Sequence, residues 1–519
     1  MLIVIYIVAG IILLGLCVFV HELGHLLGGM LVGIKAKTFS IGYGKGILKK
    51  RIGDTTYQIA PILFGGYCQF YGEDPSEERT GQSFEFLSAH PWRRIVTVGM
   101  GPLFNLLFGI LIFFAMNMIG YTKDTNRVYI PDRFQHGSDA SPAYQAGIRT
   151  GDLIERIGDR TIRSFSDIQT ALFFNEGERV TIAVRRDSKQ LSFTVAPRRS
   201  PTGRHEIGVM PYGTRILVLE TVEGGAARSA GMREMDEIIA VDGKTFTSET
   251  EFTSYINARA NVPINVVYRR GGKEYSVTLK PRLHDVITFT TSRPGGGQAE
   301  SIPIMKSKNL QKYLDKGSIV VNGRTMHTYE ELVKSVSVNS GREITLAIEG
   351  EKYTGTASIK KIGMIGILHA MAPDQILVRY SLGQAAVQAL IEPWEFIVLN
   401  LKGIGMLVSG KLNVRENLSG PIRIAKIAGD VAYYKGIPDF IILMAKISII
   451  LMVMNLLPIP VVDGSHLVFF TIEWIRRKPL SQKVMERIQT VGIVILIMLG
   501  AFVIINDISM LPIIQRLFQ

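Results

Sequence analysis

The stretch Val20-His21-Glu22-Leu23-Gly24-His25-Leu26 decides the reading of this chain. It has the form H-E-x-x-H and sits inside an apolar run, since Met1 to Cys17 and Leu26 to Ile34 are almost wholly apolar. Residues four apart share one helix face, so His21 and His25 can present two imidazoles to one metal ion. Glu22 is then placed to act as a base towards water at that ion. Ionisable side chains at membrane depth are costly unless they serve a function, which favours a metal site over a satisfied histidine pair.

The 519 residues are 47% hydrophobic, and mean hydropathy is +0.22. Length and apolarity together exclude one soluble domain. The net charge of +13 could suggest nucleic acid. The basic residues favour membrane-flanking loops instead, so a lipid bilayer is the expected anionic partner, with no nucleic acid. Two cysteines, Cys17 and Cys68, make no disulfide framework and read as packed thiols.

Four stretches are long enough to span a membrane: Leu2 to Val20 with its continuation, Ile95 to Gly120, Phe440 to Leu457, and Val491 to Ile505 with its flanks. The first lacks a basic n-region and a small-residue cleavage site, and reads as an uncleaved spanning helix. Lys35, Lys37, Lys45, Lys49, Lys50, Arg51, Arg79, Arg93 and Arg94 lie between the first two stretches, and Arg476, Arg477, Lys478, Lys483 and Arg487 between the last two. The positive-inside rule puts both loops in the cytoplasm, with both termini and the long middle segment outside. His21 and His25 then lie towards the cytoplasmic end of the first helix.

Between the first two helices, Thr55 to Tyr71 is rich in aromatic and β-branched residues and is interrupted by Pro61 and Gly65-Gly66, which predicts strands with sharp turns. A hairpin dipping into the membrane beside the metal would offer an edge to an extended peptide; an ordinary cytoplasmic hairpin is the other reading. In Gly99-Met100-Gly101-Pro102-Leu103-Phe104-Asn105, small residues predict close helix packing, with Asn105 hydrogen-bonding a neighbour.

The middle segment repeats itself. Ser141 to Ile148 with Gly151-Asp152-Leu153-Ile154 is echoed by Ala226 to Met232 with Met235-Asp236-Glu237-Ile238, each continuing into a turn, a short helix and a β-rich stretch. A degenerate third copy begins at Gly317-Ser318-Ile319-Val320, after a linker-like Pro294-Gly295-Gly296-Gly297. The order resembles bacterial PDZ domains, which take extended peptides or C-termini along a sheet edge. The third copy lacks the Gly-Asp of the first, so a spacer role is at least as well supported for it as a groove.

From His369 to Gly436 the pattern is helical and amphipathic, with Leu390, Trp394, Ile397, Leu401 and Ile404 on one face. That suits a membrane-surface segment or a packed helix pair. The third spanning stretch ends in Asn455-Leu456-Leu457-Pro458-Ile459-Pro460-Val461-Val462-Asp463-Gly464, where the prolines should unwind it. Asp463 is the natural third metal ligand, with His466 as its rival. Asn455 and Pro458, at the break, are candidate substrate contacts, and Asn455 could also face a developing oxyanion.

Taken together, H-E-x-x-H, the Gly65-Gly66-Tyr67 hairpin, Gly101-Pro102-x-x-Asn105, the external repeats and Asn455-x-x-Pro458-x-x-x-x-Asp463-Gly464 resemble the site-2 protease family, in particular its bacterial regulator-of-sigma-E branch. The resemblance covers nearly the whole chain. It implies a zinc (Zn2+) metalloprotease that cuts within the membrane, with ligands His21, His25 and Asp463, catalytic Glu22, and substrate contacts at Asn455, Pro458, Gly65, Gly66 and Tyr67. The implied fold is a multi-pass α-helical membrane protein: four transmembrane helices with a membrane-associated β-hairpin, carrying inserted extracytoplasmic PDZ-like α/β domains. The expected layout is residues 1–120 for the first two helices and the hairpin loop, and 121–203, 204–284 and 285–368 for three PDZ-like repeats. Surface helices follow at 369–436, and the last two spanning helices at 437–519. The implied location is the bacterial cytoplasmic (inner) membrane, and the implied substrates are pre-cleaved single-span membrane proteins, with anti-sigma factors and signal-peptide remnants fitting equally well. The branch usually has two PDZ repeats, so the third copy is a departure. A metal transporter using the same ligands and a PDZ envelope scaffold are the alternatives from other classes.

Overall fold

In the computed structural model, the described residues are 2–74, 80–131, 140–175, 177–200, 202–291, 300–304, 308–348, 351–478 and 481–509. The linker-like Pro294 to Gly297, Arg79 and the C-terminal tail lie outside them. The chain divides into two compact units: Met1–Thr122 with Pro201–Gly203 and Leu377–Phe518, and Lys123–Ser200 with Arg204–Ile376.

Four helices of the first unit are long and apolar enough to cross a membrane: α1 (Leu2–Leu31), α2 (Pro91–Ile119), Ile437–Leu456, and Gln482–Ser509. The first three share a core that includes Leu13 and Cys17 of α1, Phe113 and Met116 of α2, and Ala445 and Ile449. Glycines set the spacing. A Cβ on Gly24 would lie 2.3 Å from the Met100 carbonyl oxygen, and one on Gly109 would lie 2.8 Å from Ile449. Backbones this close leave no room for larger residues.

Between α1 and α2 lies a four-stranded sheet, β1 (Ala36–Tyr43), β2 (Leu48–Ile52), β3 (Thr55–Ile59) and β4 (Ile62–Phe70), in the order β2-β3-β1-β4. β1 pairs parallel with β3 and antiparallel with β4. Pro61 falls between β3 and β4, as its spacing predicts, but these two strands do not form the expected hairpin: β1 lies between them and pairs with both. Gly65-Gly66, expected at a turn, instead lies inside β4. The physical reason is close approach: a Cβ on Gly66 would meet the Ser40 carbonyl oxygen at 2.6 Å, and one on Gly65 would collide with the Tyr43 ring. Phe39 and Phe70 of the sheet join Leu26, Phe86, Val98 and Phe470 in a second core.

In the second unit, the first two repeats carry the same internal lock. Arg186 grips buried Asp152 through Nε and Nη2 at 2.7 Å each, and Arg270 grips buried Asp236 at 2.6 Å each. Arg149 N–H and Arg233 N–H donate to the same carboxylates. Ser318 stands at this position in the third copy. That copy keeps the helix start: Thr328 caps Tyr329–Val338 by accepting from Glu331 N, as Ser248 caps Glu249–Asn257 from Glu251 N. It has its own core, centred on Phe289, Leu314 and Leu332.

The repeats are not strung end to end. Ala143 N–H donates to Ile207 O, and Ala227 N–H donates to Ile365 O in the equivalent place, so the second repeat closes only after the third copy has intervened. Residues 369–372, read from sequence as the start of the helical segment, belong to the strand Ile367–Ala372, which pairs with Arg215–Thr221 in the second repeat's sheet. The backbone pairing demanded by that open sheet edge overrides the amphipathic pattern. The long helix begins at Leu382 and runs to Val408, burying Ala385, Ala389 and Pro393 and exposing Leu390, Trp394 and Leu401.

Candidate metal centre

His21 and His25 project from one face of α1, and Asp463 opens the helix Asp463–Arg476 just after the proline break. Their three ligand atoms lie within 4.8 Å of one another. His21 Nε2 is 3.0 Å from Asp463 Oδ2, His25 Nε2 is 3.5 Å from it, and the two Nε2 atoms are 3.1 Å apart. His466 is not part of this cluster among the described residues; it packs 5.9 Å from the Phe470 ring.

The donor set fits zinc. His25 Nδ1 lies 3.0 Å from the Thr97 carbonyl oxygen, which can only accept, so Nδ1 carries the hydrogen and Nε2 a lone pair. His21 Nδ1 faces the Asn105 amide at 3.2 Å. For His21 to offer a lone pair at Nε2, that amide must present its oxygen to Nδ1–H. The structure places Asn105 Nδ2 against His21, with Ser448 Oγ donating to Asn105 Oδ1 at 3.1 Å and to the Asn105 backbone carbonyl at 2.9 Å; turning the amide end for end, so that its NH2 donates to Ser448 Oγ, gives His21 the tautomer that a metal ligand needs. Two lone pairs therefore converge on Asp463 Oδ2, itself buried and without a hydrogen-bond partner. Three acceptors facing one another repel unless a cation lies between them. Tetrahedral zinc with bonds of about 2.0 Å spaces its ligands about 3.3 Å apart. The observed 3.0 to 3.5 Å brackets that spacing.

α2 supplies no ligand, yet it shapes the site. A Cβ on Gly101 would lie 2.4 Å from His25 Cε1 and 3.0 Å from His21 Cε1, so the imidazoles occupy the space that its missing side chain leaves. Pro102 has no N–H to offer the Val98 carbonyl, in the same turn whose Thr97 carbonyl serves His25. Sequence reasoning took Gly101 and Asn105 for packing and overlooked Thr97. Their helical spacing, 97, 101 and 105, was the available signal.

Of the other expected residues, Glu22 and Asn455 adjoin the cluster. The Glu22 carboxylate is hydrogen-bonded by the backbone of Cys68, and a Cβ on Gly66 would lie 3.5 Å from Glu22 Cγ. Asn455 Nδ2 is 3.3 Å from His21 Nε2. Tyr67 Oη accepts from Gln58 Nε2 at 3.1 Å, and the Tyr67 ring stacks on Tyr43. Pro458 is exposed in the segment linking Leu456 to Asp463. Val461 of that segment has φ of +82°, a strained value for a β-branched residue.

Four apolar helices, a largely buried His-His-Asp cluster and an adjacent glutamate are the features of a membrane-type zinc metallopeptidase. The chain belongs to peptidase family M50, whose model matches residues 9–499. A relative from Neisseria meningitidis serogroup A, named as a zinc metalloprotease, is 27% identical over 95% of this chain and 96% of its own. The regulator of sigma-E protease RseP of Escherichia coli K12 is 26% identical over 96% of this chain and 98% of its own. A solved PDZ domain of an SdrC-like protein from Listeria innocua aligns with 18% of this chain and 94% of its own at 22% identity; the TM-score of 0.12 is below that of a shared fold. The protein is a zinc metalloprotease of the site-2 type, an enzyme of regulated intramembrane proteolysis.

Proposed function

We propose that this enzyme hydrolyses peptide bonds in or beside the spanning segment of single-span inner-membrane proteins that another protease has already shortened. The supporting observation is the edge strand β4. It is outermost in its sheet and touches Glu22 through Gly66 and Cys68. As the outermost strand it has no strand partner on one side among the described residues, and a locally unwound substrate needs backbone partners in lipid. Strand pairing at Gly65-Gly66-Tyr67 satisfies both and carries the scissile bond past Glu22.

His21, His25 and Asp463 hold the metal, which when bound supplies a Lewis acid for the scissile carbonyl. Glu22 takes a proton from the attacking water and returns it to the leaving amine. The Asn455 amide hydrogen-bonds the substrate backbone or the developing oxyanion. The basic loops support an orientation with both termini and the PDZ-like repeats on the extracytoplasmic side of the membrane and the metal site towards the cytoplasmic face. The repeats exclude substrates with bulky outer domains or bind their exposed C-termini. Anti-sigma factors and signal-peptide remnants are the substrate classes that fit.

The test uses the full chain in lipid nanodiscs with a tagged single-span substrate. Glu22→Gln should lower cleavage by about 100-fold or more while zinc content stays at the wild-type level. Cleavage near the wild-type rate would refute Glu22 as the base.

A further inference from the structure

One stripe of α2 attends to all three ligands. Arg94, Thr97, Gly101 and Asn105 fall within an arc of about 80° on that helix. Thr97 holds His25, Asn105 faces His21, and Gly101 makes room for both rings. Arg94 has no such contact with Asp463. It reaches the far end of the Asp463 helix instead, where Nη2 meets Glu473 Oε1 at 2.7 Å.

We infer that Arg94 is a positioning residue for Asp463, acting through Glu473 and the helix between them; this rests on Asp463 being the third ligand. Asp463, Phe470 and Glu473 lie at i, i+7 and i+10, on one face of that helix, with the two carboxylates about 15 Å apart along its axis. Arg94 is fixed at three points. Besides the ion pair, its Nε donates to Ala89 O at 3.0 Å and its guanidinium lies 4.7 Å from the Phe470 ring centre. The pair is shielded, with side-chain exposures of 6% for Arg94 and 17% for Glu473, so solvent screens it little.

An anchor at that end is needed because the other end is under strain. The segment before Asp463 carries two prolines and Val461 at positive φ. Such a segment relaxes by moving whatever it is attached to unless the surrounding structure resists. A Cβ on Gly464 would lie 2.1 Å from the Leu457 carbonyl oxygen, so the helix start is pressed against the strained segment. A rigid helix pinned at Glu473 converts that pressure into a fixed place for Asp463. Arginine suits the pin because its planar fork can stack, pair and donate to a carbonyl at once, which lysine cannot.

The experiment measures zinc affinity by chelator competition in the full-length protein in detergent, with the melting temperature of the zinc-free form alongside. Arg94→Lys and Glu473→Gln should each weaken zinc binding about tenfold without lowering the zinc-free melting temperature in proportion. Arg94→Lys/Glu473→Gln should be no worse than the poorer single variant, because the two act as one unit. If Asp463→Asn loses zinc while both single variants bind within about twofold of wild type, the inference is overturned and the ligand assignment stands. A purely structural pair, which would also overturn it, would lower the zinc-free melting temperature and leave affinity unchanged. If Asp463→Asn retains zinc, the ligand assignment itself fails. Arg94→Lys keeps the charge and decides the matter should Glu473→Gln not fold.

Discussion

Gly101→Ala puts one methyl group into the space between α2 and the two imidazoles. That carbon would lie 2.4 Å from His25 Cε1 and 2.5 Å from His25 Nε2, so the ring must retreat by about 1 Å to reach ordinary contact. The helices cannot separate to relieve it cheaply, because Gly24 already brings α1 against the Met100 carbonyl. Overpacking of this kind costs about 1–3 kcal/mol. Zinc tolerates ligand displacements of only about 0.2 Å, so affinity should fall by about 100-fold or more. Gly99→Ala is the matched control, since its nearest contact would be Leu467 Cδ2 at 3.8 Å. Both substitutions gain about 1 kcal/mol of helix propensity, so only the steric term separates them. Zinc content after purification and chelator competition in detergent give the readout. Wild-type zinc affinity in Gly101→Ala would show that the imidazoles do not depend on this surface.

Asn105→Leu should weaken zinc binding by about 10–100-fold, and Asn105→Asp should recover part of it, because a carboxylate can still accept from His21 Nδ1–H; equal losses in the two variants would remove the orienting role. Glu85 accepts from Thr80 Oγ1 and N, Ser88 Oγ and Gly81 N, and these donors, the Thr80 hydroxyl first, hold its carboxyl down at about 2. A lowered pKa in the folded state means its stabilisation is present above the ordinary carboxyl range and lost as pH falls through about 2. Protection factors of residues 80–89, which correct for the pH dependence of intrinsic exchange, should therefore fall on acidification in the wild type and change little with pH in Glu85→Gln. Asp236→Asn should destabilise the second repeat by about 2–3 kcal/mol, less than a fully buried pair because Arg270 is partly exposed, and limited proteolysis should then cut that repeat before the first.

The four long apolar helices were legible because about twenty apolar residues in a row have few soluble uses, and the juxtaposition of the two histidines because helix periodicity fixes their face. The break at Pro458 and Pro460 pointed to Asp463, and the fold brings its carboxylate to the two imidazoles. What surrounds the metal was harder to read. Gly101 and Thr97 act through an absent side chain and a backbone carbonyl, and neither leaves a residue-type signature. Gly65-Gly66 looked like a turn since glycine pairs usually make one; only the proximity of Ser40 and Tyr43 reveals close approach inside a strand. Residues 369–372 carry a helical pattern that a strand partner some 150 positions earlier overrides. Sequence order also hid the third repeat's place, for the hydrogen bond from Ala227 to Ile365 joins residues on either side of it.

The separation of the ligands along the chain has a consequence for biosynthesis. His25 and Asp463 are made at opposite ends of translation, and at about 5–20 residues per second the interval between them is roughly 20 to 90 s. For that time the nascent chain holds two imidazoles and a glutamate but no complete coordination sphere. The proposed third ligand therefore joins the two imidazoles only after nearly nine-tenths of the chain has been made. On that assignment, closure of the metal centre is coupled to completion of the fold, because Asp463 must dock against a helix made at the start of synthesis.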